Sequence, residues 1–210
     1  RTLRASDVFM GHRLTHWGDK VPADEIYEAA QAMAQHVDHT GPLTWNFTAV
    51  VDPGTAIDPL VERLVMSYAW DVLSFTTGPR GWKLPQTTLL FPWLIRLFPN
   101  AKYLYGDQDV AQADPAAEPS LPSGQLLSSW AVPGATPHGD QADQQAASWQ
   151  YHHAIVRTAN PHHLLTVKYE DFVERQERTV GGMETFLGIP LSRVVMRRQE
   201  AVSQPTAGKW

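Results

Sequence analysis

The sequence predicts an α/β fold in which helices cover the faces of a central parallel sheet. Two segments read as short buried strands, "AKYLY" (101–105) and "HLLTVKYEDF" (163–172), and helical patterns stand before, between and after them. Strands that alternate with helices are typical of parallel sheets, because the crossover between two parallel strands is usually a helix. The chain has 210 residues, so we predict one domain over residues 1–210.

Apolar residues at helical spacing predict the helices of this fold. The clearest helix covers residues 24–37, with an acidic first turn and one apolar stripe, and another begins at about Pro59. The remaining helices are predicted at residues 1–10 (the tail of a helix), 88–98, 141–159 and 174–189. The predicted core positions are Ile26, Ala30, Met33 and Val37; Leu60, Leu64, Val65, Tyr68 and Val72; Leu90, Leu94 and Leu97; and Ala147, Tyr151, Ile155 and Val156.

Other segments are less regular. Leu43–Val51 and Asp71–Phe75 are weaker strand candidates, which we consider because such a sheet needs more than two strands. Residues 106–143 are rich in Pro, Gly and Ser, and this composition predicts a long loop or lid.

Composition excludes several classes of function. The chain has no cysteine, so zinc–thiolate sites, iron–sulfur clusters and a cysteine nucleophile are excluded. Its net charge of −5 does not favour nucleic-acid binding. No apolar run approaches the roughly 20 residues that cross a bilayer, and the first residues lack the pattern of a signal peptide. We therefore expect a cytoplasmic protein.

Four segments, in their order and spacing, resemble a known family. They are "GWKLPQT" (81–87), "FPNAKYLY" (98–105), "LLTVKYEDFV" (164–173) and "METFLGIP" (183–190), and the chain ends in "GKW". Each segment alone is weak, but together they span most of residues 80–210. On these residues the chain resembles the PAPS-dependent sulfotransferases of the bacterial type, where PAPS is 3′-phosphoadenosine 5′-phosphosulfate.

The resemblance implies a P-loop NTPase-like fold, a three-layer sandwich around a parallel sheet. It also implies transfer of a sulfuryl group from PAPS to a hydroxyl or amine, with no metal, because the donor is already activated. Such chemistry needs anion donors for the phosphate groups. It also needs a base for the acceptor proton and a cation for the charge that builds on the bridging oxygen.

The sequence departs from this family at two places. The family's loop for the 5′-phosphosulfate comes before the helix whose tail lies at residues 1–10, and these 210 residues start too late to contain it. The family also has an arginine, and a serine further on, after the "KYLY" strand, whereas this chain has "GDQDVAQAD" (106–114). Either the residues that bind the phosphates lie outside this sequence, or the protein has lost its donor site.

The resemblance assigns roles at three places. Lys83 is expected near the sulfuryl group, and Tyr169 is similar to the tyrosine that contacts the adenine. Gly208, Lys209 and Trp210 resemble the segment that closes over the nucleotide and contacts its 3′-phosphate. The ordinary alternatives are a solvent-exposed lysine, a core tyrosine at the end of a strand and a frayed terminus.

Three residues are candidates for the base. His12 and His16 flank the loop that faces the donor in this fold, and a histidine with an ordinary pKa suits the deprotonation of an alcohol. Asp19 is the carboxylate alternative. His12 and His16 are four residues apart, but they lie across a glycine-flanked loop and not within a helix, so we predict no metal site.

Aromatic loops suggest an acceptor pocket. Trp17 and Trp82, with Trp45 and Trp130, could form walls for an apolar or sugar acceptor. Two other functions stay open. One is a catalytically inactive relative that binds the acceptor but has lost PAPS, for which "GDQD" is the best evidence. The other is a P-loop small-molecule kinase, which lacks the expected Gly-rich Lys-Ser/Thr loop here.

Overall fold

A computed structural model describes residues 2–107, 132–133, 141–158 and 164–191. The helices are α1 (Thr2–Ala5), α2 (Asp24–Ala34), α3 (Thr48–Val51), α4 (Pro59–Ser74), a 3₁₀ helix (Pro85–Leu90), α5 (Phe91–Leu97), α6 (Gln141–Thr158), α7 (Tyr169–Glu174) and α8 (Gln176–Leu187). The strands are β1 (Asp38–Gly41), β2 (Thr44–Asn46), β3 (Tyr103–Asp107) and β4 (Leu164–Lys168).

The described residues belong to two compact units. Of the described residues, the first unit contains 2–8, 100–107 and 164–191, and the second unit contains 9–99, 132–133 and 141–158. The structure is therefore mixed α/β with two small sheets. Within the described ranges we do not see the predicted three-layer sandwich. The prediction of one domain over residues 1–210 stays a prediction.

The first unit contains the predicted parallel strands. β3 and β4 pair in parallel, with Tyr103 opposite Leu164 and Asp107 opposite Lys168, which confirms both strands and their orientation. α8 packs on this pair through Val180 and Met183. Burial of such side chains contributes about 1.5–3 kcal/mol each.

Gly188 ends α8 as the sequence predicted. Its φ of +73° is left-handed, a conformation that glycine adopts without strain. The Nζ of Lys102 donates to the carbonyls of Phe186 and Leu187 at 2.6 and 2.9 Å. A cation therefore stabilises the negative end of the helix dipole.

The second unit is built on the α2–α4 contact. Ile26, Ala30 and Met33 of α2 are buried, as predicted, and so are Val65 and Tyr68 of α4. At the start of α4, the predicted buried positions are wrong by one residue. Val61 is fully buried, whereas the predicted Leu60 and Leu64 are half-buried. Asp58 caps this helix by accepting a hydrogen bond from the N–H of Leu60 at 2.8 Å.

Both weaker strand candidates need correction. Asp71–Phe75 is not a strand, since α4 continues to Ser74 and keeps its helical burial through Val72. Within Leu43–Val51, only Thr44–Asn46 is a strand, and it pairs with β1 in an antiparallel hairpin. Thr48–Val51 is helical.

Two predicted helices differ in extent. The helix expected over 88–98 is a 3₁₀ helix followed by α5, and Pro92 in the first turn of α5 explains the division, because proline has no N–H for the helical ladder. The helix tail expected over 1–10 ends at Ala5, and Phe9 instead forms a parallel bridge with Arg80. α6 has the predicted buried face, including Tyr151 and Ile155.

Candidate active site

The loop over residues 11–21 folds back on itself and presents Asp19. Leu14 and Lys20 form an antiparallel bridge, and the N–H of Thr15 donates to the carbonyl of Asp19 at 2.8 Å. The Thr15 Oγ1 accepts from the Asp19 N–H at 3.0 Å. Gly18 turns the chain with a φ of +85°. This turn fixes the backbone from which the Asp19 carboxylate projects.

Backbone pairing places this loop beside the segment that carries Lys83. The N–H of Phe9 donates to the carbonyl of Pro79, and the N–H of Gly81 donates to the carbonyl of Phe9, both at 2.9 Å. Further along, the N–H of Lys20 donates to the carbonyl of Lys83 at 2.8 Å. Two loops that are distant in sequence are therefore held side by side.

Asp19 and Lys83 form an ion pair at this junction. The Nζ of Lys83 lies 2.7 Å from the Oδ1 of Asp19, with 50% of the lysine side chain and 20% of the aspartate side chain exposed. The Oδ1 atom is buried, so the ammonium of Lys83 compensates its charge. An ammonium has three N–H donors, so Lys83 keeps donors for another anion.

Tyr27 adds a polar group to this neighbourhood. Burial raises the pKa of its phenol, and the negative charges of Asp24 and Asp19 raise it further. Tyr27 therefore stays protonated at neutral pH. Its hydroxyl is therefore an uncharged polar group that is influenced by the negative charge of Asp19.

Lys20, the residue after Asp19, is buried on the other side of the loop. Its Nζ donates to the carbonyl of Tyr68 at 2.6 Å, pairs with the Oδ1 of Asp71 at 3.2 Å and lies 4.0 Å from the centre of the Tyr68 ring. The Tyr68 hydroxyl in turn donates a hydrogen bond to the Lys20 carbonyl at 3.1 Å. Successive side chains of an extended segment point to opposite sides, so Lys20 anchors the loop while Asp19 faces Lys83.

Asp71 is the negatively charged partner of Lys20. Burial alone would raise the pKa of its carboxyl, but hydrogen bonds from the His12 N–H and from Lys20, together with the lysine charge, lower that pKa overall. The carboxylate therefore stays ionised, and it holds both ends of the loop.

The two candidate histidines make contacts to residues other than the ion pair. His12 is exposed, its ring meets Phe9 edge-on at 5.1 Å, and its backbone N–H donates to Asp71 at 3.0 Å. His16 is exposed as well, with its ring 5.0 Å from that of Trp17. Of the three candidate bases, Asp19 is the one that contacts Lys83.

The tryptophan candidates take different positions. Trp82 is half-buried, donates from Nε1 to the Thr87 hydroxyl at 3.4 Å, and meets Tyr68 edge-on. Trp17 is also half-buried. Trp45 donates to the carbonyl of Pro133 at 2.8 Å, and Trp130 lies outside the described residues.

The candidate nucleotide contacts belong to the first unit. Tyr169 is the first residue of α7 and not part of the strand, and burial, aided by the charge of Glu170, raises the pKa of its phenol. Gly208, Lys209 and Trp210 lie outside the described residues. β3 ends at Asp107, in the segment where the sequence departs from the family.

Sequence reasoning missed Lys20, Tyr68 and Asp71 as parts of this site. Lys20 has no sequence signal, because a lysine in a polar loop is normally exposed. The structure shows why Gly11 lies beside it, since a Cβ at Gly11 would lie 3.1 Å from the Cδ of Lys20. Only a residue without a side chain leaves the lysine stem room to pass.

The described ranges hold neither a metal-binding cluster nor a membrane-spanning helix. These residues contain no group of three or more histidines, aspartates or glutamates that could hold a metal ion. No helix among them is long and apolar enough to cross a membrane.

Comparison with known proteins identifies the family. A family model described as "Sulfotransferase family" matches residues 8–193, which is most of the chain and includes Asp19, Lys83 and Tyr169. No curated protein and no solved structure matches the chain. The match extends over both compact units. The chain therefore belongs to the sulfotransferase family.

Proposed function

We propose that this protein moves a sulfuryl group from PAPS to a hydroxyl or amine of a small-molecule or sugar acceptor. Family membership supports sulfuryl transfer in general. The observation that carries the finer proposal is the contact between Asp19 and Lys83 at 2.7 Å. This pair brings together the base and the cation that the reaction needs.

The proposed step is an in-line displacement at sulfur. PAPS supplies an activated sulfuryl group. The acceptor oxygen or nitrogen forms a bond to sulfur while the bond from sulfur to the bridging phosphate oxygen breaks. The electron pair of the broken bond leaves with PAP, which is adenosine 3′,5′-bisphosphate. The acceptor proton passes to the carboxylate of Asp19, and the ammonium of Lys83 donates to the bridging oxygen as its charge grows.

The ion pair couples donor binding to the base. In the free protein, the Lys83 ammonium lies against the Oδ1 atom of Asp19. An anionic donor competes for the ammonium, and the half-exposed Lys83 side chain has the freedom to turn toward it. The Oδ1 atom of Asp19 is then open to the acceptor proton. Proton removal is thereby delayed until the donor is in place.

Lys20 cannot replace Lys83 in this role. Its ammonium is committed to Tyr68 and Asp71 and is buried, so it is not available to a ligand. Lys83 is thus the cation beside Asp19 that can reach a donor. We propose Tyr169 as an adenine contact and Gly208, Lys209 and Trp210 as contacts of the 3′-phosphate, on the resemblance in sequence. Trp17 and Trp82 stay candidates for the acceptor.

A second function is a non-catalytic relative that binds an acceptor but not PAPS. The observation in its favour is Asp107 at the end of β3, where the family has an arginine nearby. Carboxylates beside a phosphate group repel it. Asp109, two residues on, adds a second carboxylate in the sequence.

Calorimetric titration of the full-length gene product with PAP separates the two functions. Micromolar binding that Lys83→Ala weakens, together with release of PAP from PAPS when an acceptor is present, supports the transferase. The matched control is Arg63→Ala, which removes an exposed cation elsewhere in the second unit. Absence of binding at millimolar PAP, in protein that circular dichroism shows to be folded, contradicts the transferase and favours the non-catalytic relative.

A further inference from the structure

A cavity of about 430 Å³ opens in the first unit between β4 and α8. Thr166 and Lys168 of β4 form part of one wall. Arg175, which precedes α8, and Arg178 and Gly182 within α8 also line the cavity. Arg178 and Gly182 are four residues apart, so they lie on one face of the helix. All of these residues belong to the first unit, whereas Asp19 and Lys83 belong to the second.

The walls of this cavity are basic. Lys168, Arg175 and Arg178 bring three positive charges, against the single carboxylate of Asp171. The wall is therefore positive although the whole chain has a net charge of −5. Like charges that share a cavity repel one another, and an anion placed between them removes that repulsion.

Most of this positive charge is not neutralised within the described part of the chain. The side chains of Lys168 and Arg178 make no hydrogen bond or ion pair to another described residue. Arg175 lies 3.7 Å from Asp171, and the two side chains are 61% and 49% exposed. Such an exposed pair contributes little, so Arg175 is available to a ligand at small cost.

Shape and chemistry define the ligand. A guanidinium group binds phosphate or sulfate oxygens through two parallel N–H donors. An ideal Cβ at Gly182 would have no atom within 4 Å, so glycine leaves this part of the wall open. The cavity volume lies within the usual range for small-molecule sites, roughly 300–1,000 Å³. This is more room than one inorganic anion fills, which favours an anion attached to an organic group.

We propose that Arg178, Arg175 and Lys168 bind the phosphate or sulfate ester group of a small molecule. Its residues are other than those of the reactive pair, and it does not depend on PAPS being the donor. Arg178 has the leading role, because its guanidinium makes no hydrogen bond or ion pair to a described residue, whereas the guanidinium of Arg175 pairs with Asp171.

The test follows the arginine side-chain N–H signals by NMR at constant ionic strength. The full-length protein is titrated with glucose 6-phosphate, glucose 6-sulfate, inorganic phosphate and unmodified glucose. We expect saturable shifts of the Arg175 and Arg178 signals with both esters, weaker binding of inorganic phosphate and none of glucose. Arg178→Gln should weaken ester binding roughly tenfold, the effect of losing a charged hydrogen bond. Arg63→Gln, an exposed arginine of the second unit, is the matched control and should change nothing.

Two results would overturn the proposal. Shifts that grow linearly with added anion, equally in Arg178→Gln and Arg63→Gln, would mean that these arginines respond only to general screening. Competition between PAP and glucose 6-phosphate for the Arg178 signal would mean that the cavity belongs to the donor site and is not a separate one. Retained folding of each variant is checked by circular dichroism.

Discussion

The carboxylate of Asp19 and the ammonium of Lys83 meet at 2.7 Å because their backbones are joined one residue away. The N–H of Lys20 donates to the carbonyl of Lys83 at 2.8 Å, which fixes the alignment of the two loops. The pair is thus set by the backbone, and long flexible side chains do not have to find one another. This relationship leads to predictions for each partner.

Replacement of Lys83 by alanine should lower kcat/KM by about 10²–10³-fold, the usual cost of removing a group that stabilises transition-state charge. Lys83→Arg should recover part of the activity, since it keeps the charge. Steady-state kinetics with PAPS and a competent acceptor measure both variants. Unchanged kcat/KM in Lys83→Ala would remove this residue from the mechanism.

Replacement of Asp19 by asparagine should lower kcat by about 10²–10⁴-fold, with a much smaller effect on KM for PAPS. The acidic limb of the pH–rate profile should also disappear, because that limb reports the protonation of the base. A structural role alone would leave the shape of the profile unchanged. If His12→Gln or His16→Gln removed the acidic limb instead, Asp19 would not be the base.

Replacement of Lys20 by methionine should destabilise the second unit by about 3 kcal/mol, because it leaves the partly buried Asp71 without its counter-charge. Addition of Asp71→Asn should recover part of this loss, since no unpaired charge is then left. Urea unfolding of Lys20→Met, Asp71→Asn and the double variant gives the comparison. Additive losses from the two single substitutions would show that the charges are not coupled.

Replacement of Gly11 by alanine should cost about 1–3 kcal/mol of stability. The φ of +101° is strained for any residue with a Cβ, and that Cβ would lie 3.1–3.2 Å from the Lys20 stem. Gly81→Ala is the matched control, because a Cβ at Gly81 would meet no atom within 4 Å. Thermal unfolding of the two variants should therefore differ, and equal melting temperatures would contradict the account.

His152 should make the folded protein sensitive to mild acid. Burial lowers the pKa of His152 to about 4, with the neighbouring His153 adding to the shift. The unfolded chain binds the proton near pH 6.5, so stability is complete above pH 6.5 and falls as the pH drops toward 4. Linkage gives a loss of about 2 kcal/mol between pH 8 and pH 5.

Urea unfolding at the two pH values measures this loss for the native chain, His152→Phe and His39→Gln. The phenylalanine variant should lose less stability on acidification than the native chain. His39 is exposed on β1, so its variant should behave like the native chain. Identical pH dependence in all three proteins would show that His152 is not the group responsible.

Periodicity predicted the elements whose apolar stripe is long. α2 and α6 could be recognised because their buried residues recur at helical spacing. Asp71–Phe75 could not be assigned in the same way, since a five-residue segment with three apolar residues fits either a strand or the end of a buried helix. The structure makes it the end of α4, where Asp71 is engaged with Lys20.

The residues of the candidate site could be predicted from the sequence, but the contact between them could not. Lys83 and Asp19 were each indicated, one by a motif and the other by its place in a loop. Their contact depends on the bridge between Phe9 and Arg80 and on the pairing of Lys20 with Lys83, which are backbone contacts without a side-chain signature. The burial of Lys20 depends on space left by Gly11, so it too belongs to the folded chain.

The opposite orientations of Asp19 and Lys20 tie the reactive pair to the core of the second unit. One residue of the loop faces Lys83, and the next is anchored under Tyr68 on α4. The backbone that carries Asp19 therefore cannot loosen ahead of the core. On heating, the position of Asp19 beside the Lys83 segment should persist until α4 itself melts, so thermal inactivation and global unfolding should coincide. Substitutions that tighten the α2–α4 contact should then extend the working temperature range and leave the rate at ordinary temperatures unchanged.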